Sequence, residues 1–311
     1  MDNVLFGQDV LSAGQFTREQ VDLILSKARE MQRIVETQGA TDILHGKIMT
    51  ALFYEPSSRT FGSFVAAMQR LGGGFIPLQG VTYSSVSKGE TLEDTVRTFA
   101  AYSDALVIRY PHIGGAAVAA EMLDIPVINA GDGNGEHPTQ ALLDMYTISN
   151  HIGSIAGSTI ALVGDLLNGR TVHSLIQLLS LYKPKMIHCI APGELQLPEE
   201  YIVVLKEAGV GVTLSESLDE VLPICDVLYV TRVQKERFRD LDVYERLKHR
   251  YVISNDTMRR LKKTGILMHP FPRVGEILPE VDSDPRSVYL REQIQNGMFV
   301  RMALLALVLT K

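Results

Sequence analysis

The chain has 311 residues, 46% of them hydrophobic and 21% charged, and a formal net charge of −6. At roughly 150 residues per domain this is the length of two domains, long enough to bury cores without disulfides or structural metals. Such a composition excludes a disordered chain, a collagen and a coiled-coil rod, and the acidic balance lacks the basic footprint of a nucleic-acid binder.

The first seven residues, Met1–Gly7, have neither the basic nor the apolar part of a secretory signal. A helix start follows at Phe16-Thr17-Arg18-Glu19-Gln20, with Thr17 as cap and Gln20 at the reciprocal capping-box position. Val21, Ile24, Leu25, Ala28, Met31 and Val35 continue it at helical spacing. Strand-length apolar runs then occur at Lys47–Tyr54, Gly74–Leu78, Ala105–Ile108 and Pro126–Asn129. They alternate with helical patterns at Ser58–Leu71, Leu92–Tyr102, Gly115–Leu123 and Pro138–Asn150.

A second series begins near Ser158, after a Gly- and Ser-containing boundary at Asn150–Ser158. Its strand runs are Thr159–Gly164, Met186–Ile190, Val212–Leu214, Val227–Val230 and Ile266–His269. Its helical segments are Arg170–Leu181, Glu199–Ala208 and Asp256–Lys263, and Arg286–Val308 reads as one long final helix. The apolar run Met298–Leu309 contains Arg301 and is shorter than the ~20 residues a bilayer span requires, so a buried terminal helix is expected. Alternation of this kind predicts an α/β protein of two doubly wound parallel-sheet domains with an active-site cleft between them. The domains are expected at 1–150 and 151–285, with the last helix packing back on the first. Ligands in such sheets bind at the carboxyl ends of the strands.

The chemistry-bearing residues gather at those ends. Ser57-Ser58-Arg59-Thr60 opens a helix after a strand, where free N–H groups, hydroxyls and a guanidinium suit an anion. An ordinary capped helix would show some of the same pattern. The polar loop Tyr83–Thr91 carries Ser84 and Lys88 before another helix, and reads either as a lid or as a solvated loop. Gly131–Gln140 follows a strand and puts His137 and Gln140 three apart around Pro138. Its G-x-G-x-G spacing is not the dinucleotide fingerprint, which discounts a nucleotide-binding oxidoreductase. Arg109, Arg170, Arg232 and Arg273 lie at or after further strand ends, and together suggest a cleft for several carboxylates or phosphates. Each alone reads as readily as an ion pair. Cys189 and Cys225 sit in apolar runs and read as buried thiols of a reducing compartment; metal and nucleophile motifs are lacking.

Along nearly its whole length the chain resembles the aspartate and ornithine carbamoyltransferase family. The resemblance is carried by Ser57–Thr60, by Ser84–Glu90, by His137-Pro138-Thr139-Gln140, by Thr231–Arg237 and by His269-Pro270-Phe271-Pro272-Arg273. The last two runs look like the aspartate branch; the ornithine branch usually has a cysteine in the last loop. Val281–Arg286 and Asn296–Met298 are similar to the domain fused into the animal multifunctional pyrimidine-synthesis protein.

The resemblance implies carbamoyl transfer from carbamoyl phosphate to L-aspartate in pyrimidine biosynthesis, without metal or organic cofactor. By resemblance Ser57, Ser58, Arg59, Thr60, Ser84, Lys88, Arg109, His137, Gln140, Phe271 and Pro272 bind carbamoyl phosphate. Lys88, Arg170, Arg232 and Gln234 bind aspartate. Thr60, Lys88, Arg109 and His137 are the expected catalytic set. Phe271 replaces a more usual leucine or methionine, and offers its backbone carbonyl. The family also implies a cytoplasmic homotrimer with sites shared between subunits, and a regulatory chain or fused pathway domains as possible partners, with neither nucleic acid nor membrane. An ornithine carbamoyltransferase and a non-catalytic assembly module of the same fold are the alternatives.

Overall fold

The computed structural model describes residues 3–80, 85–238 and 240–311. Its helices and strands fall into two compact units, Met1–Tyr146 with Gln295–Lys311, and Thr147–Ile294.

The first unit opens with α1 (Arg18–Gln38), held at its start by the reciprocal bonds between Thr17 and Gln20. It ends at Gly39, whose φ of 81° is a left-handed stop. The chain then runs through β1 (Ile48–Phe53), α2 (Ser58–Arg70), β2 (Gly74–Gln79), α3 (Leu92–Ala100), β3 (Ala105–Tyr110), α4 (Gly115–Ala120), β4 (Val127–Asp132) and α5 (Pro138–Ile152). The four strands are parallel in the order β2-β1-β3-β4. β2 is an edge strand, which is where its Pro77 is tolerated. The other edge is covered: Val10 bonds across to Val127 and Asn129 of β4. Leu52, Val96, Leu106, Ile108, Ala116 and Val127 form a dry cluster on this sheet.

The second unit contains β5 (Thr159–Val163), α6 (Arg170–Tyr182), β6 (Met186–Ile190), α7 (Glu199–Glu207), β7 (Gly211–Ser215), β8 (Val227–Val230), α8 (Leu241–Leu247), α9 (Asn255–Arg260) and β9 (Ile266–Met268). Its sheet is also all parallel, in the order β7-β6-β5-β8-β9. Strands of both sheets with helices between them make two parallel-sheet α/β domains, as the alternating pattern predicts.

The last helix, α10 (Glu292–Leu309), starts later than its sequence pattern suggests. Residues before it are held instead by β9: Leu267 donates to the Arg286 carbonyl, and the Arg286 side chain bonds Met258, Leu261 and Asp284. From Phe299 to Leu309 every residue of α10 is buried, so the helix is apolar nearly all round. Asn3 ties its end down through the carbonyls of Leu307 and Thr310. α8 escaped the sequence pattern because Leu247 is its single buried side chain.

Connections leave β1 and β3 in opposite directions across the first sheet, and β5 and β8 do the same in the second. These are the topological switch points, where the loops after neighbouring strands part and leave room for a ligand.

Candidate active site

At the first switch point Phe53 of β1 stands beside Arg109 of β3, and Tyr54 donates to the Arg109 carbonyl at 2.9 Å. Ser57 is the N-cap of α2, yet its hydroxyl makes no capping bond. Ser58 and Arg59 are exposed, whereas Thr60 is buried. The first turn of α2 thus presents backbone donors, hydroxyls and a guanidinium at one place, an arrangement suited to a phosphate.

The Arg109 guanidinium is largely buried. Its Nη1 donates to the Ala130 carbonyl at 3.2 Å and its Nη2 lies 3.4 Å from Glu55. Its buried Nε meets no acceptor among the described residues. Burial pulls this guanidinium below its usual range; Glu55 opposes the shift and Arg59 adds to it. Two neighbouring guanidinium groups, Arg59 and Arg109, form a spot that an anionic ligand stabilises.

β4 lies next to β3, and its end loop is shaped by Asp132. This buried carboxylate accepts from Gly114 at 2.9 Å and from Glu136 at 2.7 Å. His137 follows, buried, immediately before α5, and its carbonyl accepts from Gln140 and Ala141. Gln140 is half-buried in the first turn. The residues expected from the sequence at 57–60, 109, 137 and 140 therefore sit on the carboxyl ends of three adjacent strands, β1, β3 and β4.

Lys88 ends a short 3-10 turn, Ser85–Lys88, and is exposed, with no hydrogen bond or ion pair among the described residues. Ser84 lies outside the described residues.

The second unit repeats this logic. Arg170 is the first residue of α6 after the turn at 164–169. Thr231–Arg237 leaves β8, and Thr231 donates to the Val163 carbonyl at 2.8 Å. Gly164 is required there: its φ is 114°, and a Cβ would stand 2.2 Å from the Thr231 carbonyl oxygen. Asp165, fully buried, accepts from Asn168 at 3.0 Å and from the Gln234 amide at 3.3 Å. The Gln234 side chain returns a bond to the Asn168 carbonyl at 2.8 Å. Desolvation raises the Asp165 pKa, against the hydrogen bonds and the charge of Arg232. Arg232 pairs with Glu236 one turn on, a contact that raises the guanidinium and lowers the carboxyl.

Phe271 and Pro272 belong to this second unit, not to the one holding the other expected carbamoyl-phosphate residues. Phe271 adopts a left-handed φ of 58°, rare for a bulky residue. Its amide donates to His269 Nδ1 at 2.8 Å, and His269 Nε2 then donates to Glu276 at 2.7 Å. Accepting from the Phe271 amide requires Nδ1 without a proton, and burial, which depresses the His269 pKa, favours that neutral ring. The Phe271 ring packs against His269 and Tyr289. Arg273, a strand-end arginine, pairs instead with Asp282 and donates to the Tyr289 hydroxyl at 3.0 Å.

The supporting acids were not apparent in the sequence. Glu236 had a signal, its four-residue spacing from Arg232. Asp165 had a weaker one, its place in a glycine-flanked turn after a buried strand. Among the described residues no cluster of three or more acidic, histidine or cysteine side chains is arranged to hold a metal. Burial pushes both cysteine thiols up to about 12, as unreactive core groups.

Two family models match the chain in succession. The aspartate/ornithine carbamoyltransferase carbamoyl-P binding domain covers residues 8–150, and the Asp/Orn binding domain covers 156–308. The chain belongs to the aspartate/ornithine carbamoyltransferase family. It is 48% identical to the aspartate carbamoyltransferase catalytic subunit of Methanopyrus kandleri, over 97% of each chain. It is also 48% identical over 99% of its length to the multifunctional protein pyr1-3 of Dictyostelium discoideum, but spans 14% of that protein. The aspartate transcarbamoylase of Trypanosoma cruzi in complex with carbamoyl phosphate and aspartate superimposes with a TM-score of 0.94, at 45% identity and 98% coverage of both chains. In this carbamoyltransferase chain the two arginine-bearing switch points offer sites for two anionic groups.

Proposed function

We propose that the chain carbamoylates the amino group of L-aspartate with carbamoyl phosphate, giving N-carbamoyl-L-aspartate and phosphate in pyrimidine biosynthesis. The observation that carries this reading is the filled set of anion-binding residues at both switch points. Residues 1–150 serve as the carbamoyl-phosphate domain and 151–285 as the aspartate domain.

Ser57, Ser58, Arg59 and Thr60 take the phosphate at the start of α2, with Ser84 and Lys88 adding donors from their loop. The phosphate replaces Glu55 as the main counter-ion of Arg109. Thr60, Arg109 and His137 donate to the carbonyl oxygen of the carbamoyl group. Amine attack builds negative charge on that oxygen, and fixed donors stabilise it without reorganising. Gln140 and the carbonyl of Phe271, in its loop with Pro272, orient the carbamoyl NH₂. Arg170, Arg232, Gln234 and Lys88 hold the two carboxylates of aspartate; the same cations repel the side-chain ammonium of ornithine. The departing phosphate accepts the amine proton. Holding both reactants in line is worth up to about 7–11 kcal/mol in favourable cases.

The family likeness further supports a cytoplasmic homotrimer whose sites are shared, with Lys88 reaching a neighbouring copy. Likeness to both multifunctional and free-standing relatives supports either a fused or a separate setting. The test is a colorimetric ureido assay with aspartate and ornithine in parallel. Carbamoyl-aspartate formation that is blocked by phosphonoacetyl-L-aspartate is expected; citrulline formation, or no product from the folded protein, would overturn the reading.

A further inference from the structure

α10 places one cation, Arg301, in an apolar helix, with only 3% of the residue exposed. The guanidinium lies over the Phe64 ring of α2, 5.1 Å from its centroid. Nη1 donates to the Gly297 carbonyl at 3.2 Å and Nη2 to the Thr139 hydroxyl at 3.4 Å. Asp144, fully buried on α5, is the acid whose charge acts on it. Burial lowers the Arg301 pKa to about 10, which leaves it a cation at neutral pH. Burying two charges of opposite sign in one core carries a desolvation cost.

A hydrogen bond gives the buried acid a use. Gln140 Nε2 donates to Asp144 Oδ1 at 3.0 Å. In this bond Nε2 donates and the carboxyl oxygen accepts, which settles which end of the amide faces inward. The amide spends its N–H₂ on Asp144, and Oε1 has no hydrogen bond among the described residues, in the first turn of α5, three residues after His137.

We propose that buried Asp144 is a positioning residue that locks the Gln140 amide with its oxygen toward the ligand, and so makes the site selective for an acyl phosphate bearing N–H donors. The proposal rests on the carbamoyl-phosphate reading of this site. Acetyl phosphate is the revealing probe, because a methyl group replaces the NH₂ while the phosphate stays. Against a locked acceptor the methyl leaves Oε1 desolvated and unpaired. Asparagine at position 144 offers both a donor and an acceptor, so the Gln140 amide is freed to turn and the discrimination fades.

The experiment measures dissociation constants of the full chain for carbamoyl phosphate, acetyl phosphate and inorganic phosphate by calorimetry. Asp144→Asn should reduce the preference for carbamoyl over acetyl phosphate roughly tenfold, the value of one hydrogen bond in a buried site. Affinity for inorganic phosphate should stay within about twofold, since the Ser57–Thr60 donors are untouched. Gln140→Met should lose the same preference, and adding Asp144→Asn to it should change nothing further. If Asp144→Asn does not fold, Asp144→Asn with Arg301→Gln removes both charges and gives the same ratio. An unaltered preference, or an equal loss for all three ligands, overturns the proposal. A wild-type chain that binds phosphate but does not favour carbamoyl phosphate overturns the reading of the site, and the positioning role with it.

Discussion

In the proposed reaction Arg109 and His137 divide the work at the reacting oxygen. Arg109 is pinned by the Ala130 carbonyl and Glu55, and Arg59 repels it, so its charge is held ready for an anion. His137 is buried beside the start of α5 and brings a donor with little competing solvent. A donor aimed at the position of developing charge acts mainly in the transition state. His137→Ala should therefore lower kcat by about 10²–10³ while raising the dissociation constant for carbamoyl phosphate less than about tenfold. Steady-state kinetics and calorimetry on one preparation check this. An unchanged kcat, or a loss confined to binding, removes the oxyanion role.

At the level of strands and turns, two sheets of similar logic set two charged turns where neighbouring strands diverge. In the second, the backbones of β5 and β8 approach so closely that residue 164 admits no side chain. Gly164→Ala meets the Thr231 carbonyl and an unfavourable φ together, at about 1–3 kcal/mol each. The turn carrying Arg170 and the segment carrying Arg232 and Gln234 should then separate. The aspartate KM should rise at least about tenfold, for a lost hydrogen bond or more, with the affinity for carbamoyl phosphate little changed. Denaturant unfolding and substrate titrations measure both effects, and a wild-type aspartate KM would refute the dependence on this turn. Such elements were legible in the sequence where their causes are local. The Thr17 and Gln20 cap, the apolar strand runs and the polar strand ends all lie within a few residues of one another. The groups that hold the site were not legible, because their partners are distant in the chain. Gln234 reaches Asp165 across 69 positions, and Arg301 reaches Thr139 across 162. The overlong final helix has the same origin: its periodicity continues back to Arg286, but a bond from β9 captures that segment.

For the whole molecule the decisive question is whether one chain makes one complete site. Lys88 stands exposed with no described partner, while Ser57–Thr60, Arg109, His137 and Gln140 cluster at the ends of β1, β3 and β4. A loop lysine of this kind is free to serve another copy, as the proposed trimer requires. Closed symmetric oligomers place the same contact at every interface, so each site in a trimer would draw on two chains. Lys88→Ala and His137→Ala chains should each be inactive as pure trimers, because every site lacks one of the two groups. Mixed by unfolding and refolding together, they should regain part of the activity. In a trimer of either mixed composition, one interface of three joins an intact Lys88 to an intact His137. Random mixing of equal amounts makes three quarters of the trimers mixed, so recovery should approach about one quarter of wild-type activity per site. Native mass spectrometry of the mixture verifies the composition, and the ureido assay reads the recovery. Mixed trimers with no activity would mean that Lys88 and His137 serve within one chain, whereas monomers active on their own would remove the shared site altogether.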